Sequence, residues 1–133
     1  MPFIRLLPLL LLLLLAAPAA AASAPSLEGL WDVTGWEPGG AATAEPTYTG
    51  QVTLSKRGQG YFFEGVLDGG EYFGVGLFDP KSATLSLVFQ GPSGEDSGLT
   101  VLRLEGGKLE GRWIYLADDE GLTGREVWAR AAK

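Results

Sequence analysis

Thr47-Tyr48-Thr49-Gly50-Gln51-Val52-Thr53-Leu54-Ser55 alternates without a break. Tyr48, Gly50, Val52 and Leu54 fall on one side, and the Thr, Gln and Ser residues fall on the other. Successive side chains of an extended chain point to opposite faces, so this period of two reads as a half-buried β-strand. The same pattern recurs at 83–90, where Ala83, Leu85, Leu87 and Phe89 oppose Thr84, Ser86, Val88 and Gln90. It recurs again at 108–115, where Leu109, Gly111, Trp113 and Tyr115 oppose Lys108, Glu110, Arg112 and Ile114. Further strands are read at 28–36, 61–67, 71–79, 99–105 and 124–131, and no stretch after residue 23 carries a helical period.

The links between these strands are short. Lys56-Arg57-Gly58-Gln59-Gly60, Asp68-Gly69-Gly70 and Glu105-Gly106-Gly107 are hairpin chemistry, since Gly supplies positive φ without a steric penalty. Asp79-Pro80-Lys81-Ser82 is a turn opened by Asp-Pro. Eight strands joined this way form an up-and-down meander, and closing it into an antiparallel β-barrel removes the exposed edges. The alternative is a two-sheet sandwich, which usually needs Greek-key crossings longer than most of these links.

Residues 1–22 stand apart from the pattern. Arg5 precedes an apolar core, Leu6 to Ala17, and Ala20-Ala21-Ala22 ends it with small side chains. This reads as a signal peptide cut before Ser23, leaving 23–133 as a single β-barrel domain. A retained membrane anchor is the alternative, with a run to Ala22 that is short for a span of about 20 residues. An exported protein is expected, periplasmic or secreted if the host is bacterial, and not a lipoprotein, because there is no Cys to lipidate.

The 133-residue chain has no Cys, no His and no Asn, and its single Met is the initiator. Disulfide frameworks, Cys/His zinc sites, haem ligation by His or Cys, and Ser-His-Asp or Cys-His catalysis are all excluded. No cofactor is expected. After loss of Arg5, nine Lys and Arg stand against sixteen Asp and Glu, a charge of −7. That balance argues against nucleic acid and anionic membrane surfaces as partners.

Gly50, Gly65, Gly74, Gly76 and Gly111 share faces with large apolar residues. Either they let the sheet coil, or they hollow out a pocket beneath Tyr48, Tyr61, Tyr72 and Trp113.

Two sets of residues carry a resemblance. Gly29-Leu30-Trp31 opens the first strand, and Arg130 ends the last. A Gly-x-Trp on strand one with a late basic residue resembles the calycin superfamily of lipocalins and avidins. The resemblance implies a closed end where Arg130 covers Trp31, a structural pairing. The segments Tyr48-Thr49-Gly50-Gln51-Val52, Gly74-Val75-Gly76-Leu77, Gly107-Lys108-Leu109-Glu110-Gly111-Arg112-Trp113 and Gly124-Arg125-Glu126-Val127-Trp128 are similar to a family of small exported bacterial proteins labelled fibronectin-binding. That resemblance implies fold and export and supplies no catalytic residues. The chain is shorter than a full lipocalin with its C-terminal helix. It also lacks the polar cluster with which avidins hold biotin.

A meander sends alternate links to opposite ends. The links 37–46, 68–71, 91–98 and 117–123 share one end and carry Glu37, Glu45, Asp68, Glu71, Glu95, Asp96, Asp118, Asp119 and Glu120 without a base. In calycins this end is the open mouth. The acids serve solubility, or they focus a field that selects cationic ligands. Asp118, Asp119 and Glu120 are weak Ca²⁺ candidates, since the spacing is not that of an EF-hand.

Glu126 faces inward if Arg130 and Trp128 do, and outward if Val127 and Ala129 take the inner face. A buried carboxylate there needs a Tyr or Arg partner, or it orients a ligand. Phe62, Val66, Phe73, Val75 and Leu77 lie opposite the glycine-bearing faces and would form an apolar outer patch, expected to meet a second copy or another protein.

Three functions are in play. The first is a non-catalytic, calycin-like binding module for a small, partly apolar ligand, cationic if the acidic mouth selects for charge, held by Tyr48, Tyr61, Tyr72, Trp113, Tyr115 and Glu126. Tyr61 is the weakest of these, being nearer the closed end. The second is a protein-interaction or adhesion module acting through the 61–79 hairpin. The third, a two-carboxylate glycosidase, ranks last, because no pair of acids projects clearly into a pocket.

Overall fold

The computed structural model describes residues 25–39 and 45–132. The proposed signal segment and the centre of the 37–46 link lie outside them. Eight strands appear where the alternation places them: β1 (Gly29–Trp36), β2 (Tyr48–Arg57), β3 (Gly60–Leu67), β4 (Gly70–Asp79), β5 (Thr84–Gln90), β6 (Ser97–Glu105), β7 (Lys108–Tyr115) and β8 (Gly124–Arg130). They pair antiparallel in sequence order, and β8 returns to β1 to close the barrel. No sandwich forms, because each strand bonds to the one before it.

The turns explain the order. Asp68 (φ 51°) and Gly69 (φ 74°) form a two-residue link between β3 and β4, and Gly106 (φ 59°) and Gly107 (φ 77°) do the same between β6 and β7. Positive φ at both positions is the type I′ geometry that matches strand twist. Most strands begin or end one or two residues from the sequence reading, and at β5 the difference has a visible cause. Ala83 is not in β5; it adopts φ 54° in the preceding turn, and its carbonyl accepts a hydrogen bond from the Leu104 N–H at 2.7 Å.

Closure depends on close strand approach. A Cβ on Gly74 would lie 1.8 Å from the Val88 carbonyl oxygen, and one on Gly111 would lie 1.8 Å from that of Val101. At these positions the glycines let the sheet coil.

The lower barrel is filled with side chains. Leu54, Leu85, Leu102 and Leu109 are fully buried, as is Trp31 at 0 % exposure. The segment before β1 plugs the bottom, a feature without a periodic signal in the sequence. Leu27 is buried, its N–H donates to the Tyr61 hydroxyl (3.2 Å), and its carbonyl accepts from the Trp31 indole N–H (3.0 Å). Arg130 stacks on Trp31, 4.2 Å from the ring centroid, and donates to the carbonyls of Glu28 and Ser26. Arg130→Met keeps an unbranched stem but removes the cation and its hydrogen bonds. It is expected to lower stability by about 1–2 kcal/mol in urea denaturation, and no change in midpoint would show the stack to be idle.

Candidate functional site

Above the packed half, the barrel holds a cavity of ≈ 210 Å³ that opens among the mouth loops. Its most buried lining residues are Phe63 on β3 and Trp128 on β8, with ring centroids 6.2 Å apart. Tyr48 from β2, Phe89 from β5, and Trp113 and Tyr115 from β7 make the walls, with Tyr72 from β4 beside Phe89. The rings meet edge-on: Trp113 and Tyr115 are 4.8 Å apart, and Phe89 is 6.2 Å from each. Such T-shaped contacts are favourable and fix the orientation of each wall.

Two glycines seat these rings. A Cβ on Gly35 would fall 2.0 Å from the Tyr48 ring, and one on Gly124 would fall 2.2 Å from Trp113. Both therefore contribute to the pocket by side-chain absence.

Glu126 faces inward, 5 % exposed, because its neighbour Trp128 pairs with Val33 and Leu109 in the core. Its Oε1 accepts from the Tyr48 hydroxyl at 2.7 Å and its Oε2 from the Trp128 indole N–H at 2.8 Å. Burial raises the Glu126 pKa above the usual carboxylate range. The two hydrogen bonds pull it back down, and the charge of Glu37 adds to the rise. Tyr48 is pushed up by burial first and by the Glu126 charge second, so its phenol stays protonated and remains a donor. The Trp113 indole N–H opposes that shift, although it makes no hydrogen bond of ordinary geometry.

The rim is acidic. Glu37, Asp68 and Asp96 line the opening, and no Lys or Arg joins them among the described lining residues. Burial raises the Glu37 pKa, with Asp68 and then Asp96 adding repulsion. Tyr72 and Tyr115 are likewise raised, burial being the largest cause, with added repulsion from Asp96 first at Tyr72 and from Glu37 first at Tyr115.

Of the residues singled out from the sequence, Tyr48, Tyr72, Trp113, Tyr115 and Glu126 share this pocket. Tyr61 does not; it lies at the closed end, bonded to Leu27 with Lys56 over its ring, because strand parity fixes the face and not the height. Asp118 accepts from the N–H groups of Glu120 and Leu122, so its carboxylate folds its own loop. Among the described residues, no three acidic side chains group tightly enough to hold a metal ion. Phe63, Phe89 and Trp128 went unnamed as pocket residues from sequence, although they share the inner face with those named. Glu37, Asp68 and Asp96 were visible only as part of the acidic end.

On the outside, Val66, Phe73, Val75 and Leu77 are exposed, Leu77 most at 68 %. Phe62 is half-covered by the Arg57 guanidinium, 4.3 Å from the ring centroid. The strand register lines up Phe62, Val75, Val88, Leu99 and Ile114 in one row from β3 to β7.

No family model and no curated protein matches this chain.

Proposed function

We propose that the protein is an exported, non-catalytic, calycin-like binding module that takes a small, partly apolar ligand at the mouth of its barrel. One observation carries this reading: a ring-lined cavity of ≈ 210 Å³ with a buried carboxyl group that no protein cation neutralises among the described lining residues. Apolar walls with a few fixed polar groups are the general form of small-molecule sites. The phenols of Tyr48, Tyr72 and Tyr115 stay neutral and suit holding a ligand. Native mass spectrometry of protein purified from its own host tests the reading. A recurrent bound mass is expected, whereas repeated isolation of the bare chain would overturn it.

A second reading rests on the outer row. We propose that two copies pack through it as an antiparallel pair, with the row Phe62–Val75–Val88–Leu99–Ile114 along the two-fold axis. On the mouth side of the row lie Glu64 and Glu71, and on the closed-end side lie Arg57, Arg103, Lys108 and Arg112 with Asp79, Glu105 and Glu110. Antiparallel packing sets the acidic side of each copy against the more basic side of the other. Size exclusion with light scattering is expected to give a dimer at micromolar concentration, and V75R/L77E is expected to give a folded monomer. A monomeric parent protein would overturn this reading.

A further inference from the structure

The pocket carries acids at two heights. The lower is Glu126, on β8. A carboxylate has about four lone-pair positions, and here neutral donors, Tyr48 and Trp128, take two. Buried carboxylates in proteins ordinarily face a cation, and among the described lining residues none is provided. The upper tier is Glu37, Asp68 and Asp96, carried by three different links at the rim. Glu37 follows Gly35 by two residues, and Gly35 pairs with Glu126. A strand rises about 3.3 Å per residue, so the tiers are separated by roughly 6–7 Å of backbone. Aromatic walls fill the interval, and ring faces attract cations. The acidic groups do not gather into a metal cage among the described residues, so the charge is spread rather than pointed at one ion.

We propose that the pocket binds a small organic dication of the diamine class, one ammonium on Glu126 and the other among Glu37, Asp68 and Asp96. The apolar chain between the two ends lies against Phe89 and Trp113. Glu126 supplies the deep anchor, and the rim acids draw the ligand in and hold its second charge.

This inference rests on the small-ligand reading, and calorimetry on the exported, purified protein separates the two. The probes are butane-diamine, hexane-diamine, butylamine, butanediol and succinate. A diamine is expected to bind at least about tenfold more tightly than butylamine, the value of one charge-assisted contact. Butanediol and succinate are expected to give no heat. Glu126→Gln is expected to weaken both amines by about tenfold or more. The triple variant Glu37→Gln/Asp68→Asn/Asp96→Asn is expected to bring the diamine down to the level of butylamine. Far-UV circular dichroism confirms that each variant is folded, and the rim variant tests the idea independently should Glu126→Gln not fold. Equal binding of diamine and monoamine, or binding of the diol, overturns the dication while leaving a small-ligand site. No binding of any amine, with a recurrent native mass still present, does the same. No binding of any probe, together with no native mass, overturns the small-ligand reading as well.

Discussion

Gly111→Ala is expected to cost at least about 3 kcal/mol, a fall in Tm of roughly 10–20 °C for a domain of this size, or to leave the protein insoluble. The added Cβ would lie 1.8 Å from the Val101 carbonyl oxygen and 2.9 Å from the Leu102 Cα. Both are backbone atoms of β6, so no side-chain rotation relieves the contact. The strands must separate, and in a closed barrel a separation at β6–β7 is passed round the ring, because every strand has two partners. Gly74→Ala meets the Val88 carbonyl at the same 1.8 Å and is expected to behave alike. Gly58→Ala is the control. Nothing lies within 4 Å of its Cβ, and only its φ of 57° opposes the change, at about 1–2 kcal/mol. Thermal unfolding followed by tryptophan fluorescence separates the two classes. A Gly111→Ala protein as stable as Gly58→Ala would show that the strand contact is not limiting.

The barrel was legible because both of its determinants are local. Alternation assigns each residue to a face, and Asp-Gly-Gly and Gly-Gly turns make consecutive strands neighbours. The same rule put Tyr48, Tyr72, Trp113 and Tyr115 on one interior. It failed for Tyr61, which shares that interior but lies at the wrong height. It left Glu126 undecided because Val127 and Ala129 are as compatible with an inner face as Trp128; the cross-strand partners Val33 and Leu109 settle the matter. Leu27 precedes the first strand and has no period to betray it, although it seals the closed end. The glycines were the most ambiguous. Gly74 and Gly111 admit a neighbouring strand, whereas Gly35 and Gly124 admit a ring, and only the folded chain distinguishes these uses.

Glu126→Gln is expected to remove the pH dependence that its carboxyl imposes on stability. In the unfolded chain Glu126 titrates near its ordinary value of 4.5, and in the folded barrel it titrates higher, because burial outweighs the help of Tyr48 and Trp128. Between those two values the folded state holds the extra proton. Stability therefore falls as pH rises through that window and levels off above the folded value. Glu37, also raised by burial, contributes a fall of the same sign, and the variant retains it. Gln cannot ionise, yet it fits the same contacts: its carbonyl accepts from Trp128, and its amide donates to the Tyr48 oxygen once that hydroxyl turns. The variant is expected to lose the Glu126 share of the slope and to exceed the parent at pH 8 by about 1–3 kcal/mol, the range that an uncompensated buried polar group costs. Calorimetric scans of both proteins from pH 4.5 to 8.5 check this, and parallel curves would sink it. On the diamine reading, an ammonium bound at Glu126 offsets the Glu126 share of that loss in the parent, and the variant cannot show this offset. On that reading, the substitution expected to stabilise the fold at high pH is the same one expected to weaken amine binding, so the two measurements on Glu126→Gln should move in opposite directions.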